Sequence, residues 1–301
     1  MDWNPQEKLA LKGRFIDNSI KKYIDSMVLQ RVERDISPIL HFTTYLMRDS
    51  DNNKIIELSN NIISQTVEFQ NLYRTNDEKL KIYWFPTPII KRLPKNNKES
   101  LDVPEINSAC TFHYTNNRFI ALYRMEEAPK VLYHELIHFY YLDTPLEETH
   151  DNYFKTKYNL KIPCSLRETY SEFLGCLLNI ERVSKMTGVP FLELYNIEYA
   201  FMNYQAQKIL DFFKINSKNQ LYRLQSDTNL ITYYLFKLAL FMNLTNPRQT
   251  LLELERQKLN MRKPELFVAA IEKGLDNIFN QSKISVIPEL RETMRMTIIE
   301  L

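Results

Sequence analysis

Residues 131–141 read VLYHELIHFYY. His134 and His138 stand four positions apart, and on an α-helix such positions project from one face, so two imidazoles can hold one metal ion. Glu135 lies about 100° round the helix from His134, close enough to reach a water on the metal without ligating the metal itself. Two nitrogen donors and a carboxylate base within one turn are the parts that zinc-assisted hydrolysis needs. The competing reading is a core helix that happens to carry two histidines. With 5 histidines in the chain, a chance match to HExxH is roughly a one-in-two-hundred event.

A catalytic zinc takes three protein ligands and leaves one position for water. The extended form HExxHxxGxxH is absent, because Tyr141 and Thr144 stand where its glycine and third histidine belong. His150 falls in a polar connection and reads as a solvated loop histidine. His41 and His113 lie upstream, the latter on an expected strand. Glu168 and Glu172, in RETYSE, are stronger candidates. They form a second i, i+4 pair, on a helix whose other face carries Leu166, Tyr170, Phe173, Leu174 and Leu177. Carboxylates turned inward are costly unless something positive neutralises them, which a zinc ion and its histidine would do. A solvated acidic face paired with Arg167 or Arg182 is the alternative.

The elements that must position these groups follow from local pattern. Residues 15–48 and 54–73 carry apolar residues at helical spacing, which predicts a helical N-terminal part. KIYWFPTPII (81–90) clusters aromatic and β-branched residues between prolines, as strands do. NSACTFHYTNNRFIALYR (107–124) splits into two strand-like runs around a turn at Thr115-Asn116-Asn117. Glu126, Glu127 and Pro129 then suit the start of a helix that runs to Leu142 and stops at Asp143-Thr144-Pro145. A polar connection, 145–164, leads to a second helix from Ser165, and nearly everything beyond looks helical. The expected class is α+β, mainly helical, with a small sheet. Its parts are a helical region at 1–78, a core at 79–182 and a helical lobe at 183–301.

Composition narrows the function. The 301 residues are 44% hydrophobic and 25% charged, with net charge +2 and no basic block. No nucleic acid and no membrane surface is expected as a partner. The start, MDWNPQEKLALKGRF, is too charged for a signal peptide, and the apolar run 230–244 is interrupted by Lys237. Three cysteines without CxxC spacing point to a reducing, intracellular compartment. Only 4 glycines leave little room for a phosphate-cradling loop.

HELIH at 134–138 followed by Glu168-x-x-Ser171-Glu172 resembles the glutamate-zincin superfamily of metallopeptidases. There the third ligand comes from a Glu-x-x-(Ser or Ala)-(Asp or Glu) helix. The resemblance implies a zincin-like core holding one zinc per chain on His134, His138 and Glu168. It makes Glu135 the general base and Glu172 the acid that accepts a hydrogen bond from His134. NSACTFHYTNNRFIALY is similar to the superfamily's hairpin, whose outer strand lines the cleft. Ala109 to Phe112 would then pair with a peptide by strand addition.

The resemblance covers about residues 107–182. Thermolysin-like spacing would place the third ligand near Tyr158, which cannot serve, so the interval here is longer and Glu172 remains an alternative ligand. EYAFMNYQAQKIL (198–210) and TNLITYYLFKLALF (228–241) are loosely similar to uncharacterised metallopeptidase-like proteins of large DNA viruses, which adds virion association as an option.

The implied function is a zinc metallopeptidase acting on a peptide or protein. Tyr233 and Tyr234, with Arg223 behind them, are candidates for the oxyanion donor. Two alternatives stand beside it. One is a catalytically silent zinc-binding or structural protein, such as a virion component. The other is a latent enzyme covered by its own N-terminal part.

Overall fold

The computed structural model describes residues 2–48, 50–96, 99–113, 118–259, 263–282 and 287–300. The chain divides into two compact units, 1–90 with 107–141, and 91–106 with 142–301. The class is α+β, a five-stranded mixed sheet followed by a helical C-terminal region.

In the first unit, α1 (Pro5–Lys12) and α2 (Asn18–Ser26) precede β1 (Leu29–Ser37), β2 (Leu40–Met47), α3 (Asn53–Tyr73) and β3 (Leu80–Thr87). The four-residue helix α4 (Val103–Ile106) belongs to the second unit. The first resumes with β4 (Ala109–Phe112), β5 (Phe119–Arg124) and α5 (Ala128–Phe139). Strand order is β1-β2-β3-β5-β4; β2, β3 and β5 run parallel, and the outer strands are antiparallel to their neighbours.

Strand alternation supplies two apolar faces. Tyr45, Tyr83, Phe85, Phe112, Phe119, Ala121 and Tyr123 share one buried cluster with Ile20 and Ile24 of α2. The intervening Phe42, Ile82, Trp84, Ile120 and Leu122 are equally buried, and α3 and α5 pack against the sheet. Covered on both faces, β5 is buried at every position, as a central parallel strand requires.

Two segments of the first unit depart from the sequence expectation. Residues 29–47 form an antiparallel hairpin, not a helix. Val32, Ile36 and Leu40 mimic helical spacing, but Pro38 removes a backbone donor in mid-run and β2 is rich in β-branched and aromatic residues. The sheet consequently has five strands where three were expected. The helix of the HELIH segment also ends earlier, at Phe139, where Tyr141 adopts a left-handed conformation (φ 55°). The strands expected on either side of 115–117 pair in register from Ala109 to Phe119; the turn itself lies outside the described residues.

The second unit holds α6 (Glu148–Lys157), α7 (Leu166–Thr187) and α8 (Phe191–Phe212). A π-helical turn (Thr232–Phe236) then runs into α9 (Lys237–Phe241), and α10 (Pro247–Arg256) and α11 (Pro264–Asn280) follow. Helix α6 replaces the expected polar connection. Its acidic first turn and basic last turn suit the helix dipole, a signal that its low apolar content hid.

Helices α9 and α11 cross at Gly274, where a Cβ would lie 2.2 Å from the carbonyl oxygen of Ala239. Side chains of α7, α8 and the π-helical turn bond the backbone of the segment 293–299: Asn179 donates to Ile299, Gln205 to Arg295, and Tyr234 to Met294. No helix of the described residues is long and apolar enough to cross a membrane.

Candidate metal centre

Helix α5 is held at both ends by α3 and the residues just after it. Gln65 donates to the carbonyl of Pro129 (2.6 Å), Gln70 to the Tyr140 hydroxyl (2.8 Å) and Thr75 to the Tyr140 carbonyl (2.9 Å). Eleven of its twelve residues are buried, His134 and Glu135 among them. A buried imidazole and carboxylate need polar partners. The Nε2 atoms of His134 and His138 face each other at 3.0 Å. Thr111, on edge strand β4, donates to Glu135 Oε2 at 2.6 Å and lies 3.1 Å from the Glu135 carbonyl oxygen. The hydroxyl thus ties the carboxylate to the strand.

Helix α7 begins where expected, after Ser165, and ends on the left-handed Gly188. Asp151 of α6 accepts from the Leu166 N–H (2.6 Å), and Arg167 donates to the Leu146 carbonyl (3.0 Å). The predicted apolar face is buried throughout, with Tyr170 donating to Leu259.

Neither glutamate forms the solvated face. Glu168 Oε2 accepts from the Tyr233 hydroxyl at 2.8 Å. Glu172 is 1% exposed and pairs with Lys237 at 2.9 Å. Burial alone would lower the Lys237 pKa, but Cys176, Glu172 and Glu198 outweigh it and hold the ammonium charged. Lys237 also donates to the Met296 carbonyl (2.8 Å).

One ring nitrogen each from His134 and His138 and one carboxylate oxygen of Glu168 all lie within 4.8 Å of one another. That makes the three a candidate metal-binding group. Nitrogens on one tetrahedral zinc, each at about 2.0–2.1 Å, stand about 3.4 Å apart; the two Nε2 atoms, at 3.0 Å, are near that separation.

The other histidines are occupied elsewhere. His41 bonds Asp35 (3.0 Å) at the start of β2. His113 stacks on Tyr141 beyond the end of β4. His150, expected in a loop, sits in the first turn of α6 and accepts from the Glu147 N–H.

Of the proposed oxyanion donors, Tyr234 is buried and bonded to Met294, and Arg223 donates to the Lys214 carbonyl. Tyr233 donates to a ligand candidate, Glu168. Sequence reasoning missed Thr111 and Lys237. Alternation along ACTF placed Thr111 on one face without saying which, whereas a single lysine in LITYYLFKLALF was a legible sign of a buried ion pair.

Comparison with protein-family models, with curated proteins and with solved structures gives no match. The functional reading therefore rests on the residues themselves.

Proposed function

We propose that the protein is a zinc-dependent metallopeptidase. The observation that carries this reading is the convergence of His134, His138 and Glu168 beside the buried carboxylate of Glu135. Two imidazoles and a carboxylate suit zinc among the common divalent ions. Bound there, zinc would supply a water of lowered pKa, about 7, and polarise a carbonyl.

Glu135, steadied by Thr111, would serve as the general base, holding a proton from the attacking water and passing it to the departing amine. The resemblance gives Glu172 the part of accepting a hydrogen bond from His134, which would fix the tautomer of the ring. A peptide as substrate is favoured by the sheet order, which ends at β4. Such an edge pairs with an extended backbone, and Thr111 of the same strand already reaches Glu135.

Elemental analysis of the wild type and of Glu168→Ala tests the ligand set. The expected result is about one zinc per chain in the wild type and its loss in the variant. A wild type without zinc after incubation with the metal would return the two histidines to a core helix. Zinc retained in Glu168→Ala but lost in Glu172→Ala would exchange the roles of the two glutamates.

A further inference from the structure

The π-helical turn Thr232–Phe236 presents Tyr233 to Glu168 and leads directly into Lys237, which meets Glu172. Two i, i+4 pairs thus face each other: Glu168 with Tyr233, Glu172 with Lys237. π turns hold an extra residue within a helix at an energetic cost, and they are frequent at functional sites. This one separates two adjacent tyrosines by role. Tyr234 points into the core and donates to the Met294 carbonyl (2.6 Å), whereas the half-buried Tyr233 donates to a carboxylate oxygen (2.8 Å).

We propose that Tyr233 is a positioning residue for the third metal ligand, orienting the Glu168 carboxylate so that it offers one oxygen to the ion. This rests on the ligand set argued above. A free glutamate at the start of a helix has several rotamers and can ligate through one oxygen or two. A phenol hydrogen bond on Oε2 fixes the plane of the group and occupies a lone pair that two-oxygen ligation would use. The hydroxyl also lowers the conformational entropy lost when metal binds, since the ligand is already aimed.

The test compares Tyr233→Phe with Tyr234→Phe in the full chain. Zinc affinity is measured by competition with a chromophoric chelator, and the visible spectrum is recorded after loading with cobalt(II). Thermal unfolding is followed without metal. Tyr233→Phe is expected to weaken zinc binding by about 10- to 100-fold and to alter the cobalt spectrum, with the metal-free unfolding midpoint unchanged. Tyr234→Phe should do the reverse, lowering the midpoint through its lost buried hydrogen bond while affinity and spectrum stay as in the wild type. Wild-type affinity and an unaltered spectrum in Tyr233→Phe would overturn the assignment and leave the three ligands standing. A wild type that binds neither zinc nor cobalt would overturn the ligand set, and the role of Tyr233 with it.

Discussion

Replacing Glu135 by glutamine is expected to leave zinc content and the unfolding midpoint unchanged and to slow peptide hydrolysis by about 10²–10⁴-fold. The amide matches the carboxylate in size and still meets Thr111, because its carbonyl oxygen can accept from the hydroxyl that now reaches Oε2 at 2.6 Å. It cannot take a proton from water. What would remain is the polarisation a bound zinc would supply and the orientation of a bound peptide, neither of which would depend on a base at 135. Zinc content, thermal unfolding and mass-spectrometric cleavage of a peptide mixture measure the three quantities. Unimpaired turnover would remove Glu135 from the reaction. Loss of metal would make it a ligand. A wild type that holds zinc but cleaves no peptide would favour the silent zinc-binding alternative.

Replacing Lys237 by methionine is expected to destabilise the helical unit by about 3–5 kcal/mol, lowering its unfolding midpoint by about 6–20 °C. Both partners of the Lys237–Glu172 pair are almost completely buried. Removing the ammonium strands a carboxylate in an apolar surrounding, where desolvation is no longer offset by attraction or by the hydrogen bond. The Met296 carbonyl loses a donor at the same time.

The double variant Lys237→Met/Glu172→Leu should recover much of this stability, since the charge that needed a partner is gone. If Glu172 stands behind His134, the double variant will also bind zinc about 10- to 100-fold more weakly. Chemical denaturation of the metal-free proteins gives the stabilities, and chelator competition the affinities. A Lys237→Met variant as stable as the wild type would mean that the pair is hydrated and contributes little.

Elements whose pattern has a single physical reading were legible in the sequence. The run from Tyr83 to Phe85 could be little else than a strand, and RETYSEFLGCLL carried both an apolar face and an N-terminal signal at Ser165. The hairpin at 29–47 was not legible, because four-residue spacing of Val32, Ile36 and Leu40 is compatible with either geometry. Pairing with β3 decides between them. Helix α6 was missed because its buried anchor is Phe154 alone, and a periodicity argument needs several apolar positions.

For the candidate site the division is sharper. Helical periodicity by itself set His134 and His138 on one face with Glu135 beside them, since spacing within a single helix is a local property. Fixed positions four apart likewise paired Glu168 with Glu172. Which carboxylate would approach the histidines, and what would neutralise the other, depended on contacts between residues about 65 positions apart. No local pattern encodes such contacts. Only the tertiary structure aligned the π turn with α7, giving Tyr233 to Glu168 and Lys237 to Glu172, and set the hydroxyl of Thr111 against Glu135. Chemical identity was written in the sequence, whereas the assignment of each partner came from packing.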